Sequence, residues 1–157
     1  MHSVDAQRFT DSIRFPTRAN AKATFEKIIT AGQIILEEAG LEAVNSNIVA
    51  ERAGVTAPVF YHYFKNKHAL LNVMADRLLL RQNEAYQRWE TESVETRDDL
   101  RAHALLVLQE TYRVTASFTG SRALIVSLRA VPELAGIRIA ANQHAAEFYA
   151  DRCTGCA

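Results

Sequence analysis

Between Gly54 and Lys67 the chain carries no acidic residue, and the same stretch gathers Tyr61, His62, Tyr63, Lys65 and Lys67. Hydroxyl, imidazole and ammonium groups crowded together without a counter-charge suit a polyanion, because each can donate to a phosphate oxygen or a base edge. Other reactive types are sparser. Cys153 and Cys156 form a C-x-x-C, but no second pair follows, and zinc takes four ligands. His103 and His144 stand alone on helical stretches. No Ser-His-Asp order, phosphate-cradling glycine loop or H-E-x-x-H is visible. Catalysis, a metal and a cofactor are therefore not expected; a thiol oxidoreductase using Cys153 and Cys156 would need a depressed thiol pKa.

The frame around this stretch is that of a globular protein. With 157 residues, 48% hydrophobic and 23% charged, three prolines and six glycines, the composition argues against disorder, collagen-like repeats and a disulfide-dense scaffold. Arg77 and Arg81 bracket Leu78 to Leu80, and Arg129 breaks the run from Ala123, so no stretch reaches the roughly 20 apolar residues a membrane helix needs. Asp5, Arg8, Asp11 and Arg14 leave the first residues without the apolar core of a secretory signal. The expected compartment is the cytoplasm, with both cysteines reduced. The 18 basic and 18 acidic residues balance overall, but residues 1 to 82 hold ten basic against eight acidic, and the remainder the reverse excess.

Periodicity predicts an all-α protein. A first helix carries Phe25, Ile28, Ile29, Ile35, Leu36 and Ala39 on one face and ends at Gly40. A short second helix starts at Asn45 or Ser46, either able to cap it, and stops at Gly54. Thr56 is expected as the N-cap of a third, with Pro58 in the first turn, where a missing amide proton costs little; it ends near Phe64. A fourth begins around Asn66 and turns Leu70, Leu71, Met74, Leu78 and Leu79 inward. Thr96, Asp98 and Asp99 open a fifth with Leu105, Leu108 and Tyr112 along one side. A sixth runs from Arg122 to Ala130, and Leu134, Ile137, Ala141, Ala145 and Phe148 describe a seventh. The expected division is a flexible arm at 1–16, a three-helix module at 17–66 and a more acidic helical part at 67–157.

Helices two and three fit a helix-turn-helix. Ala50 permits their close approach, Gly54 supplies the turn, and Val55 and Phe60 plug the space between them. Ala57, Pro58, Val59, Tyr61, His62 and Tyr63 are left pointing outward. A helix fits the major groove and meets base edges with its leading end.

From Thr17 to Leu79 the chain resembles the DNA-binding region of the TetR family of bacterial transcriptional regulators. The resemblance lies in the opening IITAGQIILEEAG and in IVAERAGVTAPVFYHYFKNKHALL, where AERAGV, the YHYF run and the K-x-K-x-x-LL tail stand in register. It implies that Thr56, Tyr61, Tyr63 and Lys67 contact phosphates and that Ala57, Pro58, Val59 and His62 face the bases. The residue types agree in part. Ala57, Pro58 and Val59 offer only apolar contact, suited to thymine methyls, which leaves His62 as the main polar reader. Lys67 opens a helix, where its charge opposes the helix dipole, so a nearby phosphate is the better reason for it. Arg18 and Lys22 could pin the backbone and Arg14 enter a minor groove, although a solvated charged face explains these three equally well. Core aromatics are the minor alternative for YHYF, given its position after the glycine turn. Gly32 replaces the family's usual alanine and Ser46 a common apolar residue, departures expected to loosen the first two helices.

In this family the later helices form an effector pocket and a two-fold dimer interface. Trp89, Tyr112, Phe118, Leu124 and Arg129 are candidate pocket residues, with ordinary packing as the alternative. The dimerising helices are expected to be missing, making the second domain C-terminally truncated; a homodimer is expected where they are present. The resulting expectation is a ligand-responsive repressor that binds palindromic double-stranded DNA as a homodimer and answers to an unknown small-molecule effector. A helical small-molecule-binding or protein-interaction module without DNA binding is the competing reading.

Overall fold

The computed structural model describes residues 12–87, 96–130 and 150. Within them the protein is helical, and the only pairing of extended chain is an isolated antiparallel bridge between Ile13 and Phe64.

Helix α1 (Ala19–Ala39) starts after Arg18, before the apolar positions that announce it, and buries Phe25, Ile28, Ile29, Gly32, Ile35 and Leu36. Those positions recur every three or four residues and so form one stripe. Gly40 ends the helix at φ +76°, its amide donating to the Leu36 carbonyl at 3.1 Å. A single 3-10 turn, Leu41–Ala43, leads to buried Val44. Asn45, rather than Ser46, caps α2 (Ser46–Arg52), its side chain accepting from the Asn47 amide at 2.8 Å. Gly54, at φ +66°, turns the chain, and the Val55 amide donates back to the Ala50 carbonyl. Helix α3 (Ala57–Tyr63) follows with Thr56 at its N-cap, although the threonine side chain makes no capping bond. Pro58 sits in the first turn as expected.

The Asn66 side chain accepts from the Ala69 amide at the start of α4 (Lys67–Gln87). This helix buries Ala69, Leu70, Leu71, Val73, Met74, Ala75 and Leu78 in the same core as α1. The first half of α4 thus packs into the core that α1 lines. Helix α5 (Arg97–Ala116) opens with a reciprocal capping box between Thr96 and Asp99, and α6 (Ser121–Ala130) follows a turn at Ser117–Gly120.

Aromatic rings hold the centre. Phe25 stacks on Phe64 with centroids 4.9 Å apart, and Phe60 and Phe64 are both completely buried. Burial of rings this size contributes roughly 1.5–3 kcal/mol each, which fixes α3 against α1 and leaves its opposite face outside.

This packing corrects two expectations, for Tyr63 and for Gly32. Tyr63 points inward: it is buried, edge-on to Phe25. On α5 the inward positions are His103 and Val107, whereas Leu105, Leu108 and Tyr112 lie exposed. Gly32 does not loosen α1 either: the space its missing Cβ leaves is filled by Leu70, whose Cδ2 would stand 2.8 Å from that atom. The seventh helix, Trp89, His144, Cys153 and Cys156 lie outside the described residues.

Candidate nucleic-acid interface

Because Phe60 is drawn into the core, Thr56, Pro58, Tyr61 and His62 emerge exposed on the other side of α3, with Ala57 and Val59 half-buried beside them. Tyr61 is 52% exposed, its ring held edge-on against Phe60, so the hydroxyl projects from a fixed base. Val59 also packs partly against the core and presents only part of its surface. Lys67 is half-buried at the start of α4, and Lys65 is exposed beside it.

The residues before α1 form part of the same surface. The Arg14 amide donates to the Tyr63 carbonyl at 2.8 Å, the Lys65 amide donates to the Ser12 carbonyl at 3.0 Å, and Ile13 is buried between them. Residues 12–14 are thus laid along the end of α3 instead of hanging free. The Arg14 guanidinium lies 3.5 Å from Nδ1 of His62. Arg14, Arg18, His62 and Tyr63 line an open hollow of about 260 Å³, and no carboxylate is among its described lining residues. Sequence reasoning missed this pairing. The alternation of Ser12, Ile13, Arg14 and Phe15 before Pro16 was the available signal, a short extended segment with one apolar anchor.

The charges sort themselves consistently. Arg52 is engaged by Glu38 and Arg77 by Glu26. Arg18, Lys22, Lys65 and Lys67 make no ion pair among the described residues and remain available to an external anion. A surface with exposed donors, unpaired cations and no acid on its reading helix can hold a phosphate backbone and offer an apolar tip to base edges.

The second proposed group does not converge in the same way. Phe118 and Leu124 are buried in the core, Tyr112 is 76% exposed, and Arg129 is exposed. Phe118 lies under the Arg81 guanidinium, 5.4 Å from the ring centre. A second hollow, about 310 Å³ between α1 and α2, involves Glu26, Lys27, Thr30 and Arg52, and neither hollow is lined by these four residues. Among the described residues no group of three or more His, Cys, Asp or Glu side chains gathers to hold a metal, and no helix is long and apolar enough to cross a membrane.

Two short helices joined by a glycine turn, braced by α1 and by the start of α4, define a helix-turn-helix protein. Residues 28–74 match the family model described as bacterial regulatory proteins, tetR family. The similarity to that family lies in the helix-turn-helix module. Similar proteins include the transposon Tn10 TetC protein of Escherichia coli, 34% identical over 61 residues, which cover 39% of this chain and 31% of that one. The tetracycline repressor protein class C of Escherichia coli is 39% identical over 54 residues, 34% of this chain and 25% of the repressor. An uncharacterized HTH-type transcriptional regulator of Bacillus subtilis is 34% identical over 55 residues, 35% of this chain and 28% of the regulator. The chain spans about a quarter to a third of the length of these curated relatives.

Proposed function

We propose that the protein is a cytoplasmic transcriptional regulator that binds double-stranded DNA through α3, without catalysis. The observation that carries this reading is the surface of α3 itself: Thr56, Pro58, Tyr61 and His62 stand exposed, backed by a buried Phe60 and flanked by Lys65 and Lys67 with no acid between. Thr56, Tyr61 and Lys67 act on phosphates, Ala57, Pro58, Val59 and His62 on base edges, and Arg18 and Lys22 on the flanking backbone. Tyr63 contributes through its place under His62, not as an outward donor.

Its mode of action is that of a repressor binding a palindromic operator as a homodimer, with two modules one helical turn apart, about 34–36 Å. A small-molecule effector releases the DNA by favouring another spacing of the two reading helices, because a ligand with equal affinity for both arrangements shifts nothing. The turn before α6 supports such coupling, since the Gly120 amide donates to Glu37 at the end of α1. Phe118, Leu124 and Arg129 stand near that turn in sequence, and together with Trp89 and Tyr112 they remain the proposed effector residues. The deciding experiment is selection of bound sequences from random duplexes, with the mass of the free protein measured alongside. An enriched two-fold site is expected. A folded protein that enriches nothing would instead support a small-molecule-binding or protein-interaction module.

A further inference from the structure

The hollow beside α3 suggests how the one polar base reader is aimed. Arginine can only donate, so a guanidinium beside an imidazole nitrogen favours the ring form in which that nitrogen accepts. In His62 that nitrogen is Nδ1, 3.5 Å from the guanidinium. A neutral imidazole whose Nδ1 accepts carries its proton on Nε2. The ring is also held from a second side, at 84° to the buried Tyr63 ring with centroids 4.9 Å apart. Arg14 in turn is fixed by its own backbone, donating to the Tyr63 carbonyl at 2.8 Å, and by the buried Ile13 before it.

From this we propose that Arg14 is a positioning residue that biases His62 toward the Nε2–H form, making His62 a hydrogen-bond donor that accepts guanine and discriminates against cytosine. In the major groove guanine shows two acceptors, N7 and O6, while cytosine shows the N4 donor. A histidine free to exchange its proton between nitrogens could meet either edge; one held by Arg14 meets the first and leaves two donors opposed at the second. The choice of base rests on the DNA-binding reading above, whereas the favoured ring form is a property of the free protein.

Two measurements separate these levels. In long-range 15N–1H spectra of the free full chain at about pH 8, where an ordinary imidazole is neutral, His62 should show a protonated Nε2 and a bare Nδ1. Arg14→Ala should give a mixture of the two forms, and His62→Gln assigns the signal. A proton on Nδ1, or no change in Arg14→Ala, overturns the proposal and leaves the regulator reading intact. In duplexes selected by the wild type, one guanine should be preferred over cytosine by about five- to tenfold, the worth of a single hydrogen bond. That preference should vanish in His62→Ala, shrink in Arg14→Ala, and fall when 7-deazaguanine removes N7. Preference at every position surviving in His62→Ala overturns the proposal with DNA binding still standing. If the wild type enriches no duplex, the proposal and the regulator reading fall together.

Discussion

Arg77 on α4 holds Glu26 on α1 in a two-pronged ion pair, each guanidinium nitrogen 2.6 Å from its own carboxylate oxygen. The hydrogen bonds from Arg77 hold the Glu26 carboxyl below its usual range, with the charge of Arg77 adding to them and burial opposing. A depressed carboxylate stabilises the fold above its unfolded pKa, and that contribution is lost as the pH falls through the folded one. Asp76 has the opposite sign. Desolvation pushes its carboxyl up, partly countered by Arg77, so its ionisation costs stability as the pH rises through the folded value. Urea melts between about pH 3 and pH 7 should therefore show a steeper acid loss in the wild type than in Glu26→Gln. Asp76→Asn should be the more stable variant at neutral pH. Because the pair is partly exposed, a double-mutant cycle of Glu26→Ala and Arg77→Ala should return a coupling of only about 0.5–1 kcal/mol.

Gly120 ties the turn before α6 to the end of α1. It sits at φ +79°, and a Cβ there would lie 3.0 Å from the Gln33 carbonyl oxygen and 3.3 Å from Leu36. Neither the backbone angle nor the carbonyl can yield cheaply. Gly120→Ala should therefore destabilise the protein by about 1–3 kcal/mol, read from the urea midpoint. Glu37→Ala, which removes the acceptor of the Gly120 amide at 2.7 Å, should cost about 1 kcal/mol. Both changes meet the C-terminal end of α1, at Gln33, Leu36 and Glu37, away from the Ile13–Phe64 bridge in the chain, so the surface of α3 should keep its shape once folded.

Most of the module was readable because each element announces itself locally. Gly40 and Gly54 are turn residues with the positive φ they require, Asn45 and Thr96 are caps, and the α1 stripe has an unambiguous period. Direction was harder to read than existence. Tyr63 lies between His62 and Phe64, and only the position of Phe25 decides that its ring goes inward. On α5, Leu105, Leu108 and Tyr112 form as good a stripe as His103 and Val107, and the choice belongs to what packs against the helix. The contact between Arg14 and His62 spans 48 residues, beyond any local pattern. Gly32 looked like a weakness because its partner, Leu70, lies on another helix.

Phe60 and Tyr61 are neighbours with opposite duties, and their variants should separate fold from binding. Phe60 is fully buried against Phe64 and Tyr61. Phe60→Ala should cost about 3–5 kcal/mol and leave little folded protein. Tyr61→Phe keeps the ring and removes an exposed hydroxyl, so its melting curve should match the wild type within about 0.5 kcal/mol. Its affinity for a selected duplex should nevertheless fall, by about two- to tenfold for one phosphate hydrogen bond. Equal affinity with equal stability would remove Tyr61 from the interface.

Lys67 tests the electrostatic half of the reading. Its ammonium belongs to the first residue of α4, where a cation gains nothing from the helix it opens, and it has no carboxylate partner among the described residues. Removing it should leave stability unchanged or slightly improved. On DNA, Lys67→Ala should weaken binding by a similar factor for every duplex, because a phosphate contact carries no sequence information. The slope of log K against log salt should become shallower by about 1 for each subunit bound. An unchanged slope with weakened binding would place Lys67 in the support of α3, away from the phosphates.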